Sequence, residues 1–458
     1  MALKARLDVH RKYQSEHQGM LSALRLLPPE LLSNIFLMCL PDNSGTFDTF
    51  TIDCSPPWST ARVCQKWRSI SHSMPLLWVD IPTIDLNNKP GFFELLKTVT
   101  ELSSPHDLSL YLRDPKANLE NIQLFENILP RVRSLDVHQA NLRCIKALVQ
   151  RRKSFDSERL NAAKISFAAS NSSKRPPKLH FLAKVTSLAL SCSWGEDDDP
   201  TRYTLLRSVD FQWPNLTTFC GDFLPHFYFR KILFAAPLLQ KVTMHELINV
   251  SFEPTTPPAP SSVVHHTNLK DLRLTTEYFN PLFEILHHLH IPGLQYLHIE
   301  YDEVDQEIIS SVLEQTQGSI LKLYLWEPWQ LRASSLCPLL EELTLCYATA
   351  EHLQKLTISS DFRPCPALRR LSLPDFLLHD DDEAHILQEF LVSRGLVPLN
   401  APYFPPDCRQ LESVSVSLVQ NDTIFRRCCL KVDFTMLRTI KDFMPIVGLR
   451  LSVSVLHY

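Results

Sequence analysis

Cysteines, histidines and clustered carboxylates are the side chains here whose chemistry would matter most if their spacing served it. None of the 12 cysteines forms a Cys-x-x-Cys pair. Cys428 and Cys429 are adjacent, and Cys337 and Cys346 are nine apart. The spacing that lets two thiolates share a tetrahedral ion is therefore missing. His287, His288 and His290 crowd one segment, but without a second ligand group they read as surface or packed imidazoles on a helix. The acidic runs EDDD from Glu196 and DDDE from Asp380 are consecutive like charges, which water solvates. The second falls at an expected helix start, where acids are favourable. Neither run pairs an acid with a base. No metal and no cofactor is expected.

Glycine narrows the chemistry further. There are 9 in 458 residues, and the closest two, Gly293 and Gly318, are 25 apart. Phosphate-cradling loops and nucleophile elbows need glycines a few residues apart, because the backbone there turns through positive φ or closes on the ligand. Such loops cannot be written in this chain. A net charge of -4 gives no electrostatic reason to expect nucleic acid or an anionic membrane as partner. No apolar run approaches the roughly 18 residues of a membrane span. Met1 to Met20 carries Lys4, Arg6, Asp8, Arg11, Lys12 and Glu16, unlike a signal peptide. A cytoplasmic or nuclear protein with reduced thiols packed as small hydrophobes is the expectation. The basic clusters RRK from Arg151 and KRPPK from Lys174 read as a solvated loop before a nuclear signal.

The elements that would position any site follow from one recurring pattern, apolar-x-x-apolar-x-apolar. It starts at Val132, Val185, Leu239, Leu269, Leu294, Ile320, Leu340, Leu368 and Leu411, with a damaged copy at Leu216. The second half of each copy alternates with period two, as a strand with one buried face does. Pro130, Pro214, Pro237, Pro292, Pro338 and Pro366 stand two residues before six of the copies and would end a helix there. From Leu216 to Leu368 the starts are 23, 30, 25, 26, 20 and 28 residues apart, the range of leucine-rich repeats. Helical patterns lie between: Leu282, Phe283, Leu286 and Leu289; Ile308, Ile309, Val312 and Leu313 before Gly318; Ile386, Leu387, Phe390 and Leu391 before Gly395. The i, i+3, i+4 spacing with a following glycine describes a helix laying one stripe on a core. The expected fold is an α/β repeat, an irregular leucine-rich-repeat-like solenoid over 82–458, with loops at 151–178, 253–262 and 396–408. The usual repeat asparagine is absent: Glu277, Asp302 and Pro328 stand three past Leu274, Ile299 and Leu325.

Ahead of the repeats, residues 1–25 read as a helical extension and 26–81 as a small all-α module. Pro28 and Pro29 suit a helix start, where the missing amide hydrogen has no partner anyway. Leu32, Ile35, Phe36 and Cys39 then share a face widened by Leu31, and Pro41 stops the helix. A second helix is expected from an N-cap at Ser59, with Val63, Cys64, Trp67 and Ile70 as its apolar face. Pro75 breaks it, and Leu76, Leu77 and Trp78 follow as a hydrophobic plug. So small a module needs a partner to cover what it exposes.

LPPELLSNIF from Leu27, CQKWR from Cys64 and PLLW from Pro75, in that order and spacing, resemble the F-box of large fungal families with leucine-rich-repeat-like tails. The loop from Asn43 to Pro56 is longer than that pattern's. The resemblance implies a three-helix module that packs on a Skp-family adaptor and, through it, on a cullin and a RING subunit. Leu27, Pro28, Leu31, Leu32 and Ile35 would face the adaptor; Cys64, Trp67, Leu77 and Trp78 would complete that surface or its core. The chain would then be a non-catalytic substrate receptor of a ubiquitin ligase, holding an unknown protein target on its repeats. The alternatives are an F-box scaffold that directs no ubiquitin transfer and, from another class, a hydrolase built on the repeats.

Overall fold

A prolyl nitrogen has no hydrogen to leave unpaired in a first helical turn, and in the computed structural model α1 begins at proline, spanning Pro29–Met38. The structure describes residues 26–40, 56–85, 92–113, 128–140, 159–167, 182–192, 213–247, 263–276, 285–300, 306–316, 318–326, 337–359, 363–376, 381–394, 408–409, 411–420 and 450–457, with residues 4, 6, 7 and 10. Most of the expected extension at 1–25 lies outside the described residues. So do nearly all of the Asn43–Pro56 loop, the 253–262 loop, nearly all of the 396–408 loop, EDDD and KRPPK. The chain divides into two compact units, Met1–Asn161 and Ala162–Tyr458.

In the first unit the single helix expected from Ser59 is two helices, α2 at Trp58–Val63 and α3 at Gln65–His72. Between them Cys64 is fully extended, with φ -162° and ψ 171°. Ser59 caps nothing; the cap position is Pro57. The break has a polar reason. Thr60 and Ser71 would lie about 16 Å apart along one continuous helix, yet here their hydroxyls meet at 3.0 Å in the interior. Arg68 Nε donates to the Ala61 carbonyl across the same corner, 3.0 Å away. The plug Pro75–Trp78 is a 3-10 turn that buries Leu77 and Trp78. Strand β1 (Asp80–Asp85), helix α4 (Phe92–Leu102), strand β2 (Leu108–Arg113) and strand β3 (Val132–Ala140) complete the unit. The strands pair in parallel, β1 with β2 and β2 with β3. The helical module therefore shares its unit with the first three strands.

The second unit contains strands β4 (Ala162–Phe167), β5 (Ser187–Cys192), β6 (Thr218–Asp222), β7 (Lys241–His245), a short β8 (Val264–His265), β9 (Asp271–Thr275) and a short β10 (Leu289–His290). It continues with β11 (Tyr296–Glu300), β12 (Lys322–Leu325), β13 (Glu342–Leu345), β14 (Arg370–Phe376), β15 (Ser413–Gln420) and β16 (Arg450–His457). All but β8 and β10, which pair with each other, form one parallel sheet in chain order. Helices α5 (His226–Ala235), α6 (Gln306–Gln315), α7 (Ala350–Leu356) and α8 (Asp381–Ser393) lie between strands. This is an α/β architecture, as parallel pairing demands, since each strand must be returned to the same end by a crossover.

The hexad explains the register. Its second apolar position gives the row Val242, Leu272, Leu297, Leu323, Leu343, Leu371 and Val414, each aligned with the next and all buried. Its third gives Met244, Leu274, Ile299, Leu325 and Leu345, likewise aligned and buried. Full burial of each such side chain stabilises by about 1.5–3 kcal/mol. Just before each strand of the large sheet from β5 to β14 one carbonyl accepts two amides of the next copy. Lys270 O takes Gln295 N and Tyr296 N at 2.9 Å, and Gln295 O takes Leu321 N at 2.9 Å and Lys322 N at 3.0 Å.

Where the repeat asparagine is lacking, Thr276, buried one residue past β9, donates its hydroxyl to the Leu247 carbonyl at 3.0 Å. A correction concerns 151–178, expected as a loop: Ala162–Phe167 is a strand paired with β5. Two alanines and a lysine weaken its alternation, although Ala163, Ile165 and Phe167 are buried. The histidine segment is corrected too. His287 and His288 lie at the end of a helical turn, but Leu289 and His290 form β10.

Candidate functional site

Two surfaces combine chemistry with exposure, one in each unit. The first is built on α1. Its apolar residues form two stripes about 100° apart, the angle between successive residues of a helix. Leu32 and Phe36 are both fully buried, and Phe36 carries the Trp67 ring at 4.9 Å. Leu31 and Ile35 are 49% and 39% exposed, and Met38, seven past Leu31, is 84% exposed. Position i+7 returns to the same side of the helix, so these three make one solvent-facing stripe. Leu26, just ahead of the helix, is also exposed, as is Val63 at the end of α2.

Among the nine residues expected to build the partner-facing surface or its core, Pro28, Leu31 and Ile35 are presented at the surface. Leu27, Cys64 and Trp67 are half-buried; the Leu27 carbonyl accepts from Lys66 Nζ at 2.9 Å, which fixes the chain leading into α1. Leu32, Leu77 and Trp78 are interior. The Trp78 indole donates to the Ser71 carbonyl at 2.8 Å and meets the Trp58 ring edge-on at 4.9 Å, so its polar edge is spent inside the module. Sequence reasoning passed over Leu26 and Met38, and it placed Val63 on the second helix's apolar face, where the structure leaves it exposed. Met38 was legible, seven residues past Leu31.

The second surface is the outward side of β7 to β14, where strand residues alternate with the buried rows. Its first row, in register, runs Lys241, Asp271, Tyr296, Lys322, Glu342, Arg370. Asp271 bonds Arg273 through both oxygens, at 3.0 and 3.2 Å, and takes Lys241 at 3.4 Å. Glu342 takes Lys322 at 2.9 Å and also Arg370. Between these groups the Arg273 guanidinium lies over the Tyr296 ring, 4.6 Å from its centre, and the His298 and Tyr324 rings stack at 3.8 Å and 1°. A hollow of about 470 Å³ opens here. Burial pushes the His298 imidazole below its ordinary value, although Glu300 pulls the other way. Burial pushes the Tyr296 phenol up, against Arg273.

Among the described residues, no three His, Cys, Asp or Glu side chains are grouped to hold a metal ion. No described helix is long and apolar enough to cross a membrane. No family model matches the chain, and no curated protein matches it.

Proposed function

We propose that the chain is the substrate-recognition subunit of a Skp-cullin-F-box type ubiquitin ligase. Its helical module docks a Skp-family adaptor, and its strand repeats, a leucine-rich-repeat-like solenoid, receive the target protein. The observation that carries this reading is the outer stripe of α1. Leu31, Ile35 and Met38 point to solvent while Leu32 and Phe36 already fill the interior, so the exposed side is not needed for the module's own core. A stripe of exposed large apolar side chains is what a protein interface uses. Covering a half-exposed leucine contributes about 1 kcal/mol. The receptor itself performs no chemistry; ubiquitin transfer is left to other subunits, and the receptor contributes proximity.

The test is co-purification with a Skp-family adaptor. The intact chain retains the adaptor, and Leu31→Asp loses it without loss of helical content. An intact chain that retains none refutes the F-box reading. Deleting residues 26–81 then separates a ligase receptor from a scaffold. Targets captured by the repeats accumulate in cells if the protein directs their degradation and stay constant if it does not.

A further inference from the structure

Two ion-pair clusters on the outward side of the repeat unit carry more positive charge than their own carboxylates neutralise. Among the described residues, Lys241, Arg273, Lys322 and Arg370 pair with Asp271 and Glu342: four cations against two anions in these clusters. The surplus divides evenly, because each carboxylate holds two cations and leaves one net positive charge. Glu300, further along β11, contacts His298 and Thr275 and bonds none of these four cations; it lowers the total on this side by one charge and leaves each cluster its own surplus. The cations are accessible, with Lys322 and Arg370 side chains 52% and 53% exposed while Glu342 is 25%. An incoming anion meets the cations before it meets the carboxylate.

Spacing specifies the ligand. Asp271 and Glu342 lie three strand steps apart, by way of Tyr296 and Lys322, which at about 4.8 Å per step is about 14 Å. Between them lie the Tyr296 ring under Arg273 and the His298–Tyr324 stack. In an extended peptide, residues i and i+4 face the same way about 13 Å apart, with i+2 midway. We infer that the outward side of β7 to β14 binds an extended acidic peptide segment of the form acidic-x-aromatic-x-acidic, lying across the strands. Its carboxylates meet the two surplus charges, and its central ring rests on the Tyr296 and Tyr324 shelf. Single surplus charges held apart in this way suit two separate carboxylates better than one concentrated dianion. This inference names the target class for the receptor reading above and rests on it.

The experiment is fluorescence anisotropy of the whole 458-residue chain with a short labelled peptide centred on Glu-x-Tyr-x-Glu. Binding is expected, weakening as sodium chloride is raised, and falling by roughly tenfold when both glutamates become glutamine. Lys322→Ala with Arg370→Ala weakens it comparably, as does Tyr296→Ala. Glu342→Gln, which frees two cations, tightens it, an outcome that misfolding cannot imitate. Equal affinity for the glutamine peptide, indifference to the Lys322/Arg370 substitutions, or preference for a single-stranded oligonucleotide over the peptide overturns the inference. Leu31→Asp leaves peptide binding unchanged, and the Lys322/Arg370 variant still retains the adaptor, so the two readings fail separately.

Discussion

Leu31 and Leu32 are neighbours of the same type, yet one is 49% exposed and the other fully buried. A residue label of leucine predicts an apolar contact but not which body supplies it. The structure separates the two: Leu32 packs with Phe36 inside the module, and Leu31 waits at the surface. Leu32→Ala is therefore expected to destabilise the module by about 2–5 kcal/mol. Leu31→Ala stays within about 0.5 kcal/mol. Hydrogen exchange of the α1 amides measures both; equal losses would mean that Leu31 belongs to the core. Arg394 makes the opposite point. It is fully buried and donates to the carbonyls of Leu356, Pro364 and Cys365 at 2.6, 2.8 and 2.9 Å. That clamp joins the ends of α7 and α8. Nothing in the sequence marked it, because arginine is ordinarily exposed and its partners here are backbone oxygens, which carry no residue signature.

At the scale of elements, the hexad made the strands legible because the buried rows are a direct image of period-two alternation. The copies at Leu239, Leu269, Leu294, Ile320, Leu340, Leu368 and Leu411 each begin two residues before a strand. Strand β4 was missed because Ala162 and Ala163 carry little hydrophobic signal. Helix α7 was missed for its length; it is one short segment capped by Thr349, whose hydroxyl and amide both meet His352 Nδ1 at 2.8 and 3.0 Å. The α2–α3 break was invisible because its cause is a hydrogen bond between residues eleven apart. The outward surface was beyond reach for the same reason: Asp271, Tyr296 and Glu342 become neighbours only through register. Two glycines test how tightly the elements stack. A Cβ on Gly293 would sit 2.9 Å from the Thr267 carbonyl oxygen, which is backbone, whereas one on Gly221 would meet the ends of Met244 and Leu224 at 2.7–2.9 Å. Gly293→Ala should cost about 1–3 kcal/mol. Gly221→Ala should cost less, since a methionine tail can turn aside. Thermal melts of the two variants decide it, and the reverse order would show that the turn before Leu294 yields more readily than the Met244 side chain.

For the whole molecule, the pH dependence of stability is written in a few wholly or partly buried thiols and one phenol. Burial pushes Cys192 and Cys337 up to about 12 and Cys365 up to about 11. Burial, with Asp80 adding, pushes Tyr111 up to about 12. Each group stays protonated in the folded chain at a pH where the unfolded chain has released the proton, near 8.5 for a thiol and about 10 for a phenol. Between those values and about 12 the folded state binds more protons, so stability falls as pH rises; below about 8.5 these groups contribute their full stability. The melting temperature is expected to be unaffected by these groups from pH 7 to about 8.5 and to decline steadily above it. Cys337→Ala with Cys365→Ala should start from a lower melting temperature, because two buried side chains are trimmed, yet decline less steeply with pH. The two thiols lie close enough that charge on Cys365 adds to the burial that raises Cys337, which makes their removal as a pair the informative variant. Parallel alkaline curves for the variant and the parent would mean that solvent already reaches these sulfurs in the folded state. A shallower curve in the variant would mean that the folded chain keeps water from these two sulfurs to the depth at which a thiolate does not form.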